Sequence, residues 1–82
     1  SLALSEGAIR GWDRHNFYFY SILTSLAKHY DFKLDTPFNK LPKKIQNIIL
    51  YGSGDEEIKF TYNHEQNRKV IKKHPFEGVV NN

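Results

Sequence analysis

Gly52-Ser53-Gly54-Asp55-Glu56-Glu57-Ile58-Lys59-Phe60-Thr61-Tyr62 is the stretch on which the fold turns. Before it, apolar residues recur every three or four positions. Within it they begin to alternate, with Ile58, Phe60 and Tyr62 on one parity and Glu57, Lys59 and Thr61 on the other, as in a strand with one buried face. The glycines break the helical repeat, and Gly52 suits the position just past a helix end. Asn63 to Asn67 read as a polar turn, and Arg68 to Lys73, centred on Val70 and Ile71, as a returning strand that Pro75 ends. The stretch therefore predicts a β-hairpin.

Working back towards the N-terminus, Leu41, Ile45, Ile48 and Ile49 give one apolar helix face, with Pro42 in the first turn, where a missing N–H costs nothing. Residues 31–41 carry Asp31, Asp35, Thr36, Pro37 and Asn39, the chemistry of a connector. Residues 13–30 predict a longer helix. Phe19, Leu23, Leu26, Ala27 and Tyr30 form its stripe, flanked or widened by Phe17, Tyr20 and Ile22. Asp13 or Asn16 is its cap, and Lys28 and His29 suit the negative end of its dipole. Residues 1–12 are a mixed segment broken by glycine, and Phe76, Val79 and Val80 suggest a last extended piece. The expected fold class is α+β: two helices followed by a β-hairpin or small antiparallel sheet, in a single domain over 1–82. A lone hairpin is marginal in water, so it must pack on the helices or gain a third strand from residues 7–12 or 76–80.

Composition narrows the chemistry. The chain has 82 residues and no cysteine, which excludes disulfides, thiolate metal sites and cysteine nucleophiles within it. No apolar run approaches the ~20 residues of a membrane span and no signal-peptide pattern opens the chain, so no membrane partner and a cytoplasmic location are expected. The absence of Met fits initiator removal and a piece of a longer protein equally well, and the abrupt close on Asn81-Asn82 favours the second. The net charge of +3 is unevenly spread: Lys59, Arg68, Lys69, Lys72 and Lys73 crowd the hairpin against Glu65, just after Asp55, Glu56 and Glu57.

His15, His29, His64 and His74 show no ligand spacing, so no metal site is expected. Gly52-Ser53-Gly54 runs from helix into strand, the wrong direction for a phosphate loop, and reads as a helix stop. No nucleophile elbow surrounds any serine, and Glu56 and Glu57 alternate faces of a strand, so catalysis within this chain is not expected. What remains is basic residues among aromatics. Cations neutralise phosphates, and exposed rings stack on unpaired bases. Trp12 lies between Arg10 and Arg14, but the neighbouring helix stripe makes it an anchor of the leading segment on the core rather than a binding residue.

Three motifs carry a family resemblance. They are Ser5-Glu6-Gly7-Ala8-Ile9-Arg10-Gly11-Trp12-Asp13-Arg14 with Asn16, then Leu50-Tyr51-Gly52-Ser53-Gly54 with Glu57-Ile58 and Phe60, and last His74-Pro75-Phe76-Glu77-Gly78-Val79. In order and in register, they resemble the UvrA family, the damage-recognition ATPases of the excinuclease ABC complex in bacterial nucleotide excision repair. The resemblance spans essentially the whole chain and implies the insertion domain of the N-terminal half, which faces DNA. The family's Walker motifs, ABC signature and zinc cysteines are missing here, so ATP and zinc belong to the parent protein and no cofactor is expected in this chain. His15 departs from the pattern, standing where a second Arg is common, which weakens any cationic patch beside Arg14.

Joined to the charge pattern, the resemblance implies a non-catalytic module that touches damaged double-stranded DNA. Arg68, Lys69, Lys72 and Lys73 are its phosphate-contact candidates, with Arg10 and Arg14 secondary. The other implied partners are the damage-verification protein of the complex and the remainder of the parent dimer. A competing reading, a protein-interaction or spacer module, would show an exposed aromatic patch around Trp12 and Phe76.

Overall fold

Asn16 sets where the first helix begins: its side chain accepts the Phe19 backbone N–H at 3.3 Å, satisfying one of the orphan donors of the first turn. The structure, a computed structural model, describes residues 2–10, 12, 16–64 and 68–80, with the backbone alone at 63, 64 and 68. Helix α1 is Phe17–Tyr30, so the start expected at residue 13 is corrected to Phe17 with Asn16 as cap; residues 13–15 lie outside the described residues. The helix closes on Asp31 in the left-handed conformation, with its N–H on the Ala27 carbonyl. Ile22, Leu23 and Leu26 are its buried apolar residues, and Phe19 and Tyr30 pack partly buried beside them. Phe17 does not widen this stripe: it stands 75% exposed.

Helix α2 is Lys43–Tyr51, with Pro42 one step outside it at the cap position. Leu41, Ile45 and Ile49 bury its apolar face, and Gly52 at φ 105° ends it. The hairpin follows as β1, Glu57–His64, and β2, Arg68–Pro75, paired antiparallel from Glu57 opposite Pro75 to His64 opposite Arg68. Pro75 is the last residue of the ladder rather than the residue that stops it.

The sheet has two strands among the described residues, and neither expected source adds a third. Residues 76–80 run instead past the end of α2, where the Val79 and Val80 N–H groups donate to the Ile49 and Leu50 carbonyls at 2.9 and 3.0 Å. Residues 7–10 form turns after a 3-10 turn, Leu4–Glu6, and the leading segment is tied to the connector through Phe38 N–H to Leu2 O and Ser5 N–H to Leu34 O. The hairpin gains its support from α1, which lies along the free edge of β1: the Thr61 N–H donates to Ser25 Oγ at 3.0 Å. A helix that covers an edge also removes it as a template for strand addition.

Ile58 and Phe60 meet the α1 residues in the core, and Trp12 closes it. The Trp12 ring stacks on Phe19 at 4.4 Å between centroids and meets Phe76 edge-on at 6.4 Å. Each such pair adds about 0.5–1.5 kcal/mol to simple burial. Trp12 and Phe76 are 6% and 4% exposed, so the aromatic surface patch that would mark an interaction module is absent at these two residues.

Two of the identifying motifs meet in a single backbone crossing. Ser53 N–H donates to Phe76 O at 2.9 Å, and Phe76 N–H returns to Ser53 Oγ at 2.8 Å. A Cβ on Gly52 would lie 2.5 Å from Phe76 O, and one on Gly78 2.5 Å from the Tyr51 carbonyl carbon. Both glycines have positive φ, so close approach and conformation each require them.

Candidate nucleic-acid interface

The strand register decides which cations can act together. Residues directly opposite in an antiparallel pair share a face. Ile58, Phe60 and Tyr62 therefore share theirs with His74, Lys72 and Val70, while Lys59 and Thr61 share the other with Lys73 and Ile71, followed by Lys69 opposite Asn63. Pro75 has no N–H to give, and the Thr61 N–H points away to Ser25; both place the Glu57, Lys59, Thr61 and Asn63 rungs at non-hydrogen-bonded positions. At such rungs opposed side chains come closest, with Cβ atoms about 4.5–5.5 Å apart. Lys59 and Lys73 thus oppose one another on an exposed face, where like charges are unfavourable.

This face and α1 enclose an open groove of about 640 Å³. Phe17, Tyr20, Thr24 and Lys28 approach from one helix face; Lys59, Thr61 and Lys69 approach from the hairpin. No carboxylate lines it among the described residues. Its serine and threonine donors on the helix are already used. Ser21 Oγ donates to Phe17 O at 2.7 Å, Thr24 Oγ1 to Tyr20 O at 2.8 Å, and Ser25 Oγ to Ser21 O at 2.9 Å. The helix side therefore offers the rings of Phe17, Tyr20 and His29 and the Lys28 cation, while its serine and threonine donors are spent.

At the rim, His29 Nε2 lies 3.7 Å from Glu56, which also accepts the Tyr30 hydroxyl. The Tyr30 hydrogen bond, with His29 assisting, holds the Glu56 carboxyl below its ordinary value. Burial, then the same hydrogen bond, pushes the Tyr30 hydroxyl up. The acid that touches this rim is thus already engaged.

The opposite face is spent on packing. Phe60 stacks on His74 at 4.6 Å and Tyr18 on Tyr62 at 5.5 Å. Because Pro75 O can only accept, His74 Nδ1 donates to it at 2.8 Å, which leaves Nε2 to accept the Tyr62 hydroxyl at 3.4 Å in the neutral ring. Burial, foremost, raises the Tyr62 hydroxyl. Among the described residues no cluster of three or more His, Asp or Glu could hold a metal ion, and no helix is long and apolar enough to cross a membrane.

The candidate cations are therefore not one cluster. Lys69 lines the groove, and Lys73 shares its face opposite Lys59. Lys72 stands on the other face, and Arg68 occupies a rung of that same parity. Arg10 is exposed in the turn after Leu4–Glu6 and does not line the groove; Arg14 lies outside the described residues. Lys28, Lys59, Phe17 and Tyr20 are not among the contacts expected from sequence. Two signals could have found them: the parity that joins Lys59 to Lys69 and Lys73, and a second helical stripe through Phe17, Tyr20, Thr24 and Lys28.

The whole chain, residues 1–82, matches the family model described as the UvrA DNA-binding domain. It is 57% identical over 82 residues to UvrABC system protein A of Haemophilus influenzae and 58% identical over 82 residues to that of Vibrio cholerae, in each case all of this chain and 9% of the relative. The protein of that name from Xylella fastidiosa is 52% identical over 81 residues, 99% of this chain and 8% of its own length. The chain thus spans about a tenth of the curated relatives it matches. On the full-length family match and these identities, the chain belongs to the UvrA DNA-binding domain family.

Proposed function

We propose that this chain is a non-catalytic DNA-facing module of the damage-recognition protein of bacterial nucleotide excision repair, and that it holds the phosphate backbone through one face of its hairpin. The observation that carries this is the opposition of Lys59 and Lys73 at a non-hydrogen-bonded rung, with Lys69 on the same face and Lys28 across the groove. Such a pair costs stability in the free chain and is relieved by a bound phosphate. Contacts of this kind are blind to sequence, as a sensor of lesions in any context requires. ATP hydrolysis, zinc binding, dimer contacts and the damage-verification partner belong, in this reading, to the remainder of the parent protein.

Titration of the chain with a short duplex across a salt series tests the proposal. Four lysine contacts give a slope of log affinity against log salt of about −3 to −4. Amide shifts are expected to concentrate at Lys59, Lys69 and Lys73. A slope near zero, or no shifts at these residues at low salt, would refute it.

A further inference from the structure

We infer that the groove between α1 and the hairpin is a receptacle for a single unpaired nucleotide, resting on the reading that this chain faces DNA. A duplex is far too wide for a cavity of about 640 Å³, whereas that volume lies in the range of small-molecule pockets. A duplex must lie across the mouth, on Lys59 and Lys73, while one base released from the stack can enter.

The lining fits that occupant. Phe17 stands 75% exposed at the start of α1, unexplained by any core it serves, and presents a ring to the groove beside Tyr20. Lys28 on one wall and Lys59 and Lys69 on the other supply positive charge for the flanking phosphates. Ring faces accept any base, and cations accept any phosphate. The helix's serine and threonine hydroxyls could have read base edges, but their donors are committed to carbonyls one turn earlier. The groove is thus built to accept an extruded base without selecting which one. A lesion weakens stacking and pairing, so it lowers the cost of presenting such a base. The groove would convert that local weakness into affinity.

The test compares an intact duplex with the same duplex carrying one unpaired 2-aminopurine nucleotide, both binding to the 82-residue chain. The unpaired nucleotide is expected to tighten binding about tenfold and its fluorescence to be quenched by stacking. Phe17→Ala is expected to reduce that preference to under about twofold, and Phe17→Trp to restore it. Because Phe17 is exposed, these variants are expected to retain the wild-type amide spectrum. Equal binding of the two DNAs, a preference that survives Phe17→Ala, or displacement of the unpaired probe by an acidic peptide as readily as by single-stranded DNA would overturn the inference. Failure of both DNAs to bind would instead overturn the proposed function beneath it.

Discussion

The backbone crossing at Gly52 and Gly78 and the groove between α1 and the hairpin are built on opposite principles. At the crossing, main chain meets main chain, carbonyls and N–H groups are paired, and a single methyl would collide with backbone. In the groove, side chains reach outward, like charges oppose each other and an aromatic ring stands in water. The crossing gathers two of the three motifs that identify the family, and the groove contains hardly any of their residues. Identity is therefore written in the residues that hold the scaffold, while the candidate contacts sit on patterns any solvated helix and hairpin could display.

The sharpest way to break this comparison is to disturb the crossing alone. Gly78→Ala is expected to destabilise the chain by roughly 3 kcal/mol or more, because both positive φ and steric overlap oppose it. Gly54→Ala is the control: its φ is also positive, at 63°, but its Cβ would meet nothing within 4 Å, so about 1 kcal/mol of backbone strain is expected. Urea midpoints measure both, and near-equal losses would show that the crossing is not tightly packed.

Ser25 joins the two walls of the groove. Its hydroxyl accepts the Thr61 N–H, and Ser25→Ala leaves that donor without its partner at a cost of about 1–2 kcal/mol. Hydrogen exchange at the Thr61 amide is expected to accelerate, whereas amides at the crossing are expected to change only with global stability.

The smallest effect lies at the groove rim. Glu56 is held below its ordinary value of 4.5, so it contributes stability that is present above that pH and lost as pH falls through the lower folded value. Tyr30→Phe removes the largest cause of the shift. The Glu56 titration followed by NMR is expected to move back up, and the loss of thermal stability on the acid side is expected to flatten. An unmoved titration would show that the hydroxyl does not hold the carboxylate.

The α+β order was legible because its signals are local: a stop at Gly52 and a change of period at Ile58. The turn expected from Asn63 to Asn67 is corrected at Asn63 and His64, which belong to β1, and residues 65–67 lie outside the described residues. The helix start was misjudged by a turn because Asp13 and Asn16 are equally good caps by type, and only the Phe19 N–H bond distinguishes them. The absent third strand was illegible for another reason. Residues 76–80 carry strand-like residues, but the Ile49 and Leu50 carbonyls at the end of α2 claim the Val79 and Val80 N–H groups and Ser53 Oγ claims that of Phe76. Cation grouping was half legible. Adjacent lysines on a strand must face opposite ways, so Lys72 and Lys73 could have been separated by parity alone. That Lys28 would stand across from Lys69 needed the helix placed along the β1 edge, a long-range fact that Ser25 and Thr61 fix.

That separation gives the most direct measurement. Lys72 and Lys73 are neighbours of identical chemistry on opposite faces, so Lys72→Glu and Lys73→Glu change net charge equally and differ only in direction. With intact duplex, Lys73→Glu is expected to weaken binding by about tenfold and to flatten the salt slope by about one unit, while Lys72→Glu stays within about twofold of the parent. Equal losses for the two variants, or a larger loss for Lys72→Glu, would contradict the account.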